Sequence, residues 1–276
     1  MSAFSRFAPS PTGLLHVGHA YAMLQLETWA EAYDGRLLLR IEDIDPQRCR
    51  PAYMPHMLED IQWLGTPFEH EVRQQSQHLS DYQQAMETLQ SQGVLYPCFC
   101  TRSSMAYLPN GHYAGTCRRL SQHEQKQRIQ HEAHAWRWDV QKVMQRIGQR
   151  LSWLEDETTM CGDVGALDDV VLVRKDIATS YHLAVVVDDA LQGVTHVVRG
   201  DDLRDSTPIH VALQTLLGLP IPHYQHHALL RYPNGQRLAK SQQSTSIQRL
   251  RASGMSAQQL RDDLQHCQAI WNNSYL

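Results

Sequence analysis

Two stretches of this 276-residue chain carry residue types at spacings that could do chemistry. The first is RFAPSPTGLLHVGHA, residues 6–20, with His16 and His19 three positions apart. In the first turn of a helix that spacing puts both imidazoles on one face. From there they can donate hydrogen bonds to phosphate oxygens. The helix start adds unpaired backbone N–H groups and a dipole that favours an anion. The two prolines and the glycine of PSPTG make the loop that would feed such a helix. By itself HxxH is more often the polar start of an ordinary capped helix.

The second stretch is CFCTRSSMAYLPNGHYAGTC, residues 98–117, which supplies Cys98, Cys100 and Cys117 with His112 and Tyr113 between them. Zinc takes thiolates and imidazole in a tetrahedral set, so donor chemistry alone nominates His112 as the fourth ligand. Cys49, Cys161 and Cys267 are scattered and read as buried free thiols. That distribution suits a metal site in a reducing compartment better than a disulfide framework. The histidine pair in HEAHAW, residues 131–136, has nothing near it to complete a site and reads as a solvated helix face.

The elements that must position these groups follow from the pattern. AFSRFAP reads as a short strand, and residues 16–33 as a helix stopped at Gly35. RLLLRIEDID reads as a buried strand with an acidic end, and PAYMPHMLEDIQWLG as a helix between Pro51 and Gly65. LSDYQQAMETLQSQG is a helix with Ser80 or Asp81 as cap and Gly93 as stop. After an irregular stretch, DDVVLVRKD is a strand, SYHLAVVVDDALQG a helix, VTHVVRG a strand and TPIHVALQTLLG a helix. The tail, residues 244–276, is polar with one amphipathic candidate around 255–267. Strands alternating with helices on both sides of an insert imply an α/β fold with a parallel sheet.

Composition narrows the class. A net charge of −4 argues against blanket coating of nucleic acid, though not against a local basic surface. Of the 25 basic residues only four are lysines, Lys240 among them. No apolar run approaches the roughly 18 residues of a membrane span. The start, MSAFSRFAPS, lacks the features of a signal peptide, so a cytoplasmic protein with no membrane partner is expected. No exposed apolar stripe is evident, and a monomer is expected.

The string PSPTGLLHVGH resembles the HIGH-type motif of class I aminoacyl-tRNA synthetases, in their glutamyl branch. Far downstream, GQRLAKSQQS at residues 235–244 resembles a degenerate KMSKS loop, with Lys240 on the second lysine, Arg237 where the first would be, and Ala239 in place of a serine. The resemblance implies a Rossmann-type catalytic domain that activates an amino acid as its adenylate. His16, Gly18, His19, Arg237 and Lys240 would bind ATP with Mg2+, and His16, His19 and Lys240 would be catalytic. It places Arg6, Tyr181 and Arg199 around a glutamate side chain, and Ala8, Ser10 and Glu42 near its amino group. A planar guanidinium can bind a carboxylate bidentately, and Glu42 can accept from an ammonium. Glutaminyl enzymes tend to read PPEPNG where this chain has APSPTG, which favours glutamate. For the structural zinc, the family's Cys-x-Cys…Tyr-x3-Cys pattern selects Cys98, Cys100, Tyr113 and Cys117, and so disagrees with the choice of His112.

The expected segments are 1–95 (Rossmann, first half), 96–170 (inserted zinc-bearing module), 171–243 (Rossmann, second half with the KMSKS-like loop) and 244–276 (short helical tail). Only 36 residues follow Lys240, whereas full glutamyl enzymes continue into anticodon-reading domains. The truncation resembles the branch that attaches glutamate to the queuosine base at the wobble position of tRNA(Asp). Open alternatives are a minimal glutamyl enzyme charging a tRNA 3′ end, an inactive tRNA-binding paralogue, and a nucleotidyltransferase acting on a small cofactor. Arg118 with Arg119, and Arg249 with Arg251, are candidate tRNA contacts.

Overall fold

The computed structural model describes residues 2–101, 103–231 and 246–266. In chain order the elements are β1 (Phe4–Phe7), α1 (Val17–Tyr33), β2 (Arg36–Ile41), α2 (Tyr53–Leu64), β3 (Phe68–Gln74), α3 (Leu79–Ser91), β4 (Leu95–Cys98), α4 (Gln122–Ile129), β5 (Ala135–Trp138), α5 (Val140–Ile147), β6 (Arg150–Glu155), β7 (Thr158–Asp163), β8 (Val171–Val173), α6 (Tyr181–Leu191), β9 (His196–Gly200), α7 (Thr207–Leu217), β10 (His223–His227), α8 (Ile247–Ala252) and α9 (Ala257–His266). Packing divides the chain into two compact units. One comprises Met1–Ser76, Val194–Arg204 and Pro222–Leu276, the other Gln77–Gly193 and Asp205–Ile221. Among the described residues no helix is long and apolar enough to cross a membrane.

The first unit is built on parallel strands. β1 pairs with β2 and β2 with β3, all parallel, while β9 and β10 form a second parallel pair. The start of β1 is joined to the residue ahead of β9, since Thr195 N donates to Phe4 O at 3.0 Å and Phe4 N to Thr195 Oγ1 at 2.9 Å. β2 is buried from Leu37 to Ile41, as expected for a parallel strand covered on both faces. α1 is apolar nearly all round and buries Val17, Ala20, Tyr21, Met23, Leu24, Leu26 and Trp29. Its end is set by Asp34 in the left-handed region (φ 48), one residue ahead of the expected Gly35. At Gly35 a Cβ would lie 2.6 Å from the Trp29 ring, so close approach is what requires the glycine.

Among its described residues the tail holds two helices where one was expected. Ile247 and Leu250 of α8 and Leu260 and Leu264 of α9 join the same apolar core as α1 and α2. α8 has six residues, too few to show a helical period in the sequence.

The second unit contains α3, α6 and α7, the antiparallel sheet β4–β5–β8 and the antiparallel hairpin β6–β7. Four expectations are corrected here. The VVLV run pairs antiparallel with β5 (Trp136 opposite Val173) and is not part of the parallel sheet. HEAHAW is no helix face: α4 ends at Ile129 and the stretch runs into β5, with His134 against Phe99 and Trp136. The cap of α3 is His78, so Ser80 and Asp81 lie inside its first turn, where the Asp81 charge suits the helix dipole. Cys49 is buried as expected, but Cys161 is exposed, and Cys267 lies outside the described residues.

Candidate active site and metal centre

The loop between β1 and α1 is pinned along its length by backbone bonds. Glu42 N donates to Pro9 O (3.0 Å), Arg50 N to Pro11 O (2.9 Å) and Ile247 N to Leu15 O (2.9 Å). It delivers the chain into α1 with His16 as an extended N-cap residue. The two histidines then cap the helix reciprocally. His16 Nδ1 accepts from Gly18 N at 3.1 Å, and His19 Nδ1 accepts from His16 N at 3.0 Å. A backbone N–H can only donate, so each Nδ1 carries a lone pair and each neutral ring carries its proton on Nε2. Both rings are half-buried and packed together, centroids 4.0 Å apart. The arrangement therefore presents two Nε2–H groups at the start of a buried 17-residue helix. Gly18 makes it possible, because a Cβ there would stand 2.9 Å from His16 Cε1 and 3.0 Å from its Nδ1.

Arg6, Glu42 and Arg199 lie at or just past the carboxyl ends of β1, β2 and β9, where an α/β sheet opens its ligand crevice. None of the three is on the bare surface. Arg6 is buried and donates from one Nη to Val198 O at 3.4 Å. Glu42 is met at 3.5 Å by Arg40, whose side chain is fully buried. Arg199 donates from Nε to His226 Nε2 at 3.2 Å and from Nη2 to Leu203 O at 3.1 Å. Ala8 and Ser10 are half-buried in the pinned loop, and Ser10 O accepts from Thr12 N at 2.8 Å. Tyr181 belongs to the second unit. It opens α6 behind the capping Ser180, with its ring 5.5 Å and 5.6 Å from the rings of His182 and His210.

Two side chains in contact with these residues were passed over in the sequence, Arg40 and His226. Arg40 left one signal, a charge inside the apolar run RLLLRI. Burial, chiefly, and the neighbouring Arg199 hold the His226 imidazole down at about 3. In an unfolded chain it titrates near the ordinary value of about 6.5. Below that pH the unfolded state binds a proton the native state refuses. Its contribution to stability is thus complete above about pH 6.5 and is lost progressively as pH falls toward 3. Thermal melts should show wild type losing stability relative to His226→Gln between pH 7 and pH 4. Parallel pH curves for the two proteins would contradict the assignment.

The cysteine cluster closes around Tyr113. The Sγ atoms of Cys98, Cys100 and Cys117 all lie within 4.8 Å of one another, with Cys100 and Cys117 at 3.6 Å. The Tyr113 hydroxyl is 3.2 Å from Cys100 Sγ and 3.7 Å from Cys98 Sγ, and accepts from Cys117 N at 3.0 Å. A tetrahedral zinc with Zn–S near 2.3 Å sets its sulfurs about 3.8 Å apart, so the donors fit that ion. His112 is not in the cluster. It sits on the hairpin bridged by Tyr107 and Tyr113, where neighbouring residues face opposite ways. Burial raises the thiol of Cys100. It also acts to raise Cys117, but the N–H of Phe99 and the Tyr113 and Cys100 contacts outweigh it and hold that thiol low. Low thiol pKa favours the thiolate a metal needs.

The KMSKS-like loop, with Arg237 and Lys240, lies outside the described residues. The chain is described again from Ser246, which forms an isolated antiparallel bridge with His16. Of the candidate tRNA contacts, Arg118 pairs with Asp169 (3.1 Å) and Arg251 with Asp60 (2.9 Å), both buried carboxylates.

A parallel-stranded unit with a doubly histidine-capped helix after its first strand is the form of a class I synthetase catalytic domain, and comparison with known proteins agrees. The family tRNA synthetases class I (E and Q), catalytic domain, matches residues 3–267, and the chain belongs to it. A glutamyl-Q tRNA(Asp) synthetase from Rhodobacter capsulatus is 42% identical, covering 93% of this chain and 98% of its own. One from Symbiobacterium thermophilum is 39% identical, covering 91% and 82%. Among solved structures, glutamate-tRNA synthetase from Elizabethkingia anophelis is 25% identical with a TM-score of 0.73, and this chain spans about half of it (53%).

Proposed function

We propose that the protein activates L-glutamate with ATP and Mg2+ and transfers the glutamyl group to the queuosine base at the wobble position of tRNA(Asp). The observation that carries this is the near end-to-end match to proteins of that name, 42% identical over 98% of the first relative's length. The glutamate carboxylate attacks the α-phosphorus of ATP, giving glutamyl-adenylate and releasing pyrophosphate. A cyclopentenediol hydroxyl of queuosine then attacks the acyl carbon, and AMP leaves. No side chain is a covalent nucleophile.

The residues divide the work by charge. His16 and His19 donate from Nε2 to phosphate oxygens whose negative charge grows as pyrophosphate departs, and Lys240 and Arg237 bring cations to the same place. Arg6 and Arg199 receive the side-chain carboxylate, and the family resemblance assigns Tyr181 to the same ligand. Glu42 accepts from the amino group, steadied by Arg40, with the Ala8–Ser10 backbone beside it. ATP–pyrophosphate exchange tests the first step. It is expected to depend on glutamate and to be far weaker with glutamine. No exchange with either would leave an inactive paralogue as the better reading.

Gly18→Ala should lower that exchange by about 10- to 100-fold, since displacing the His16 ring by even part of an ångström misaligns its donor. Unchanged exchange would mean the ring is not in contact with ATP.

In the insert, Cys98, Cys100, Tyr113 and Cys117 would hold one structural zinc. Its chemistry there is to tie four chain positions together, not to take part in the transfer. The purified protein should contain one zinc by elemental analysis, and Cys117→Ser should lose it and melt several degrees lower. A metal-free wild type of undiminished stability would rule the site out.

A further inference from the structure

We propose that His226 is a positioning residue for Arg199, fixing the plane in which its guanidinium receives the substrate's side-chain carboxylate. The proposal rests on the reading that Arg199 binds that carboxylate.

The geometry is set by the strand pairing. β9 and β10 run parallel with Arg199 directly opposite His226. Both side chains are buried, and Arg199 Nε meets His226 Nε2 at 3.2 Å. A second bond, from Arg199 Nη2 to Leu203 O at 3.1 Å, holds another corner of the guanidinium. Its carbon lies over the Tyr224 ring at 5.3 Å, and that ring is itself parallel to the His226 ring two residues along the strand. A planar fork held at two corners and against one aromatic face keeps its orientation, which bidentate carboxylate recognition needs.

The partner's chemistry matters as much as its place. Arginine does not give up its proton, so the nitrogen it donates to must carry a lone pair. His226 is therefore neutral, with its proton on Nδ1. Around it, Arg199, Arg204 and His227 oppose protonation and Asp201 favours it, and burial outweighs them all. The imidazole and the Leu203 carbonyl are uncharged acceptors. They orient the cation without neutralising it. A carboxylate in place of His226 would compete with the substrate.

The test compares three variants in glutamate-dependent exchange. His226→Phe keeps a ring against Tyr224 and removes the acceptor. It should raise KM for glutamate about 10- to 100-fold, from the size of a hydrogen bond to a charged group. KM for ATP should stay within about twofold, and His226→Gln, which returns an acceptor, should recover most of the loss. An unchanged glutamate KM in His226→Phe, or equal rises for both substrates, would overturn the proposal. Arg199→Ala separates the two readings. A raised glutamate KM there with none in His226→Phe removes only the positioning role, whereas no rise in Arg199→Ala removes the carboxylate reading and this proposal with it. If His226→Phe does not fold, 15N NMR of histidine-labelled wild type decides. An Nδ1–H tautomer that stays neutral at pH 5 supports the proposal, and an Nε2–H tautomer or titration near 6.5 overturns it.

Discussion

His16→Asn is expected to lower glutamate-dependent ATP–pyrophosphate exchange by about 10²- to 10³-fold, the usual cost of one preorganised donor to a developing negative charge. The protein should stay folded. Asparagine is among the best N-cap residues, and its amide oxygen can take over the acceptor role of His16 Nδ1 toward Gly18 N. What it lacks is the Nε2–H. The variant thus separates the cap from the chemistry, which His16→Ala would confound by removing both. Kinetics at saturating ATP should show the loss in kcat, because the donor acts on charge that appears only in the transition state. Wild-type exchange in a well-folded His16→Asn protein would reduce the histidine pair to a helix cap.

Lys240→Ala should cost about 10²-fold or more in the same exchange, again from losing a cation at the departing pyrophosphate. The loop that carries it is degenerate, with Arg237 and Ala239 where the family has lysine and serine. Lys240→Arg should recover part of the rate, since the charge returns without the point geometry of an ammonium. The described chain resumes after the loop at Ser246, which bridges to His16. Exchange that survives Lys240→Ala would take this lysine out of the site.

The parts of the fold that were legible in the sequence are those with strong local signals. β2 reads as a buried strand because five consecutive residues are buried in a two-sided sheet. α6 and α7 read as helices because Ser180 caps one, Pro208 opens the other and Gly218 ends it with positive φ. β3 and β10 were not seen, because FEHEVRQ and HYQHH are polar strands whose apolar partners are distant in sequence. The VVLV run was seen as a strand but assigned to the wrong sheet. Local pattern gives the strand, and only pairing with Trp136 and Arg137 shows its direction.

The site divides in the same way. His16, His19 and the cysteines announce themselves by spacing. The choice between His112 and Tyr113 depended on which face of a hairpin each occupies, and the hydroxyl of Tyr113 meets the sulfurs. Arg40 and His226 are seen through their contacts with Glu42 and Arg199, and no spacing rule points to them. Their roles follow from contacts at 3.5 Å and 3.2 Å that a linear reading does not contain.

The most direct test of the whole account is transfer of labelled glutamate to two tRNA pools, one containing queuosine and one lacking it. Label confined to the queuosine-bearing pool, on tRNA(Asp), is the predicted result. Label on the queuosine-free pool would mean charging of a tRNA 3′ end, and would contradict base modification as the protein's reaction.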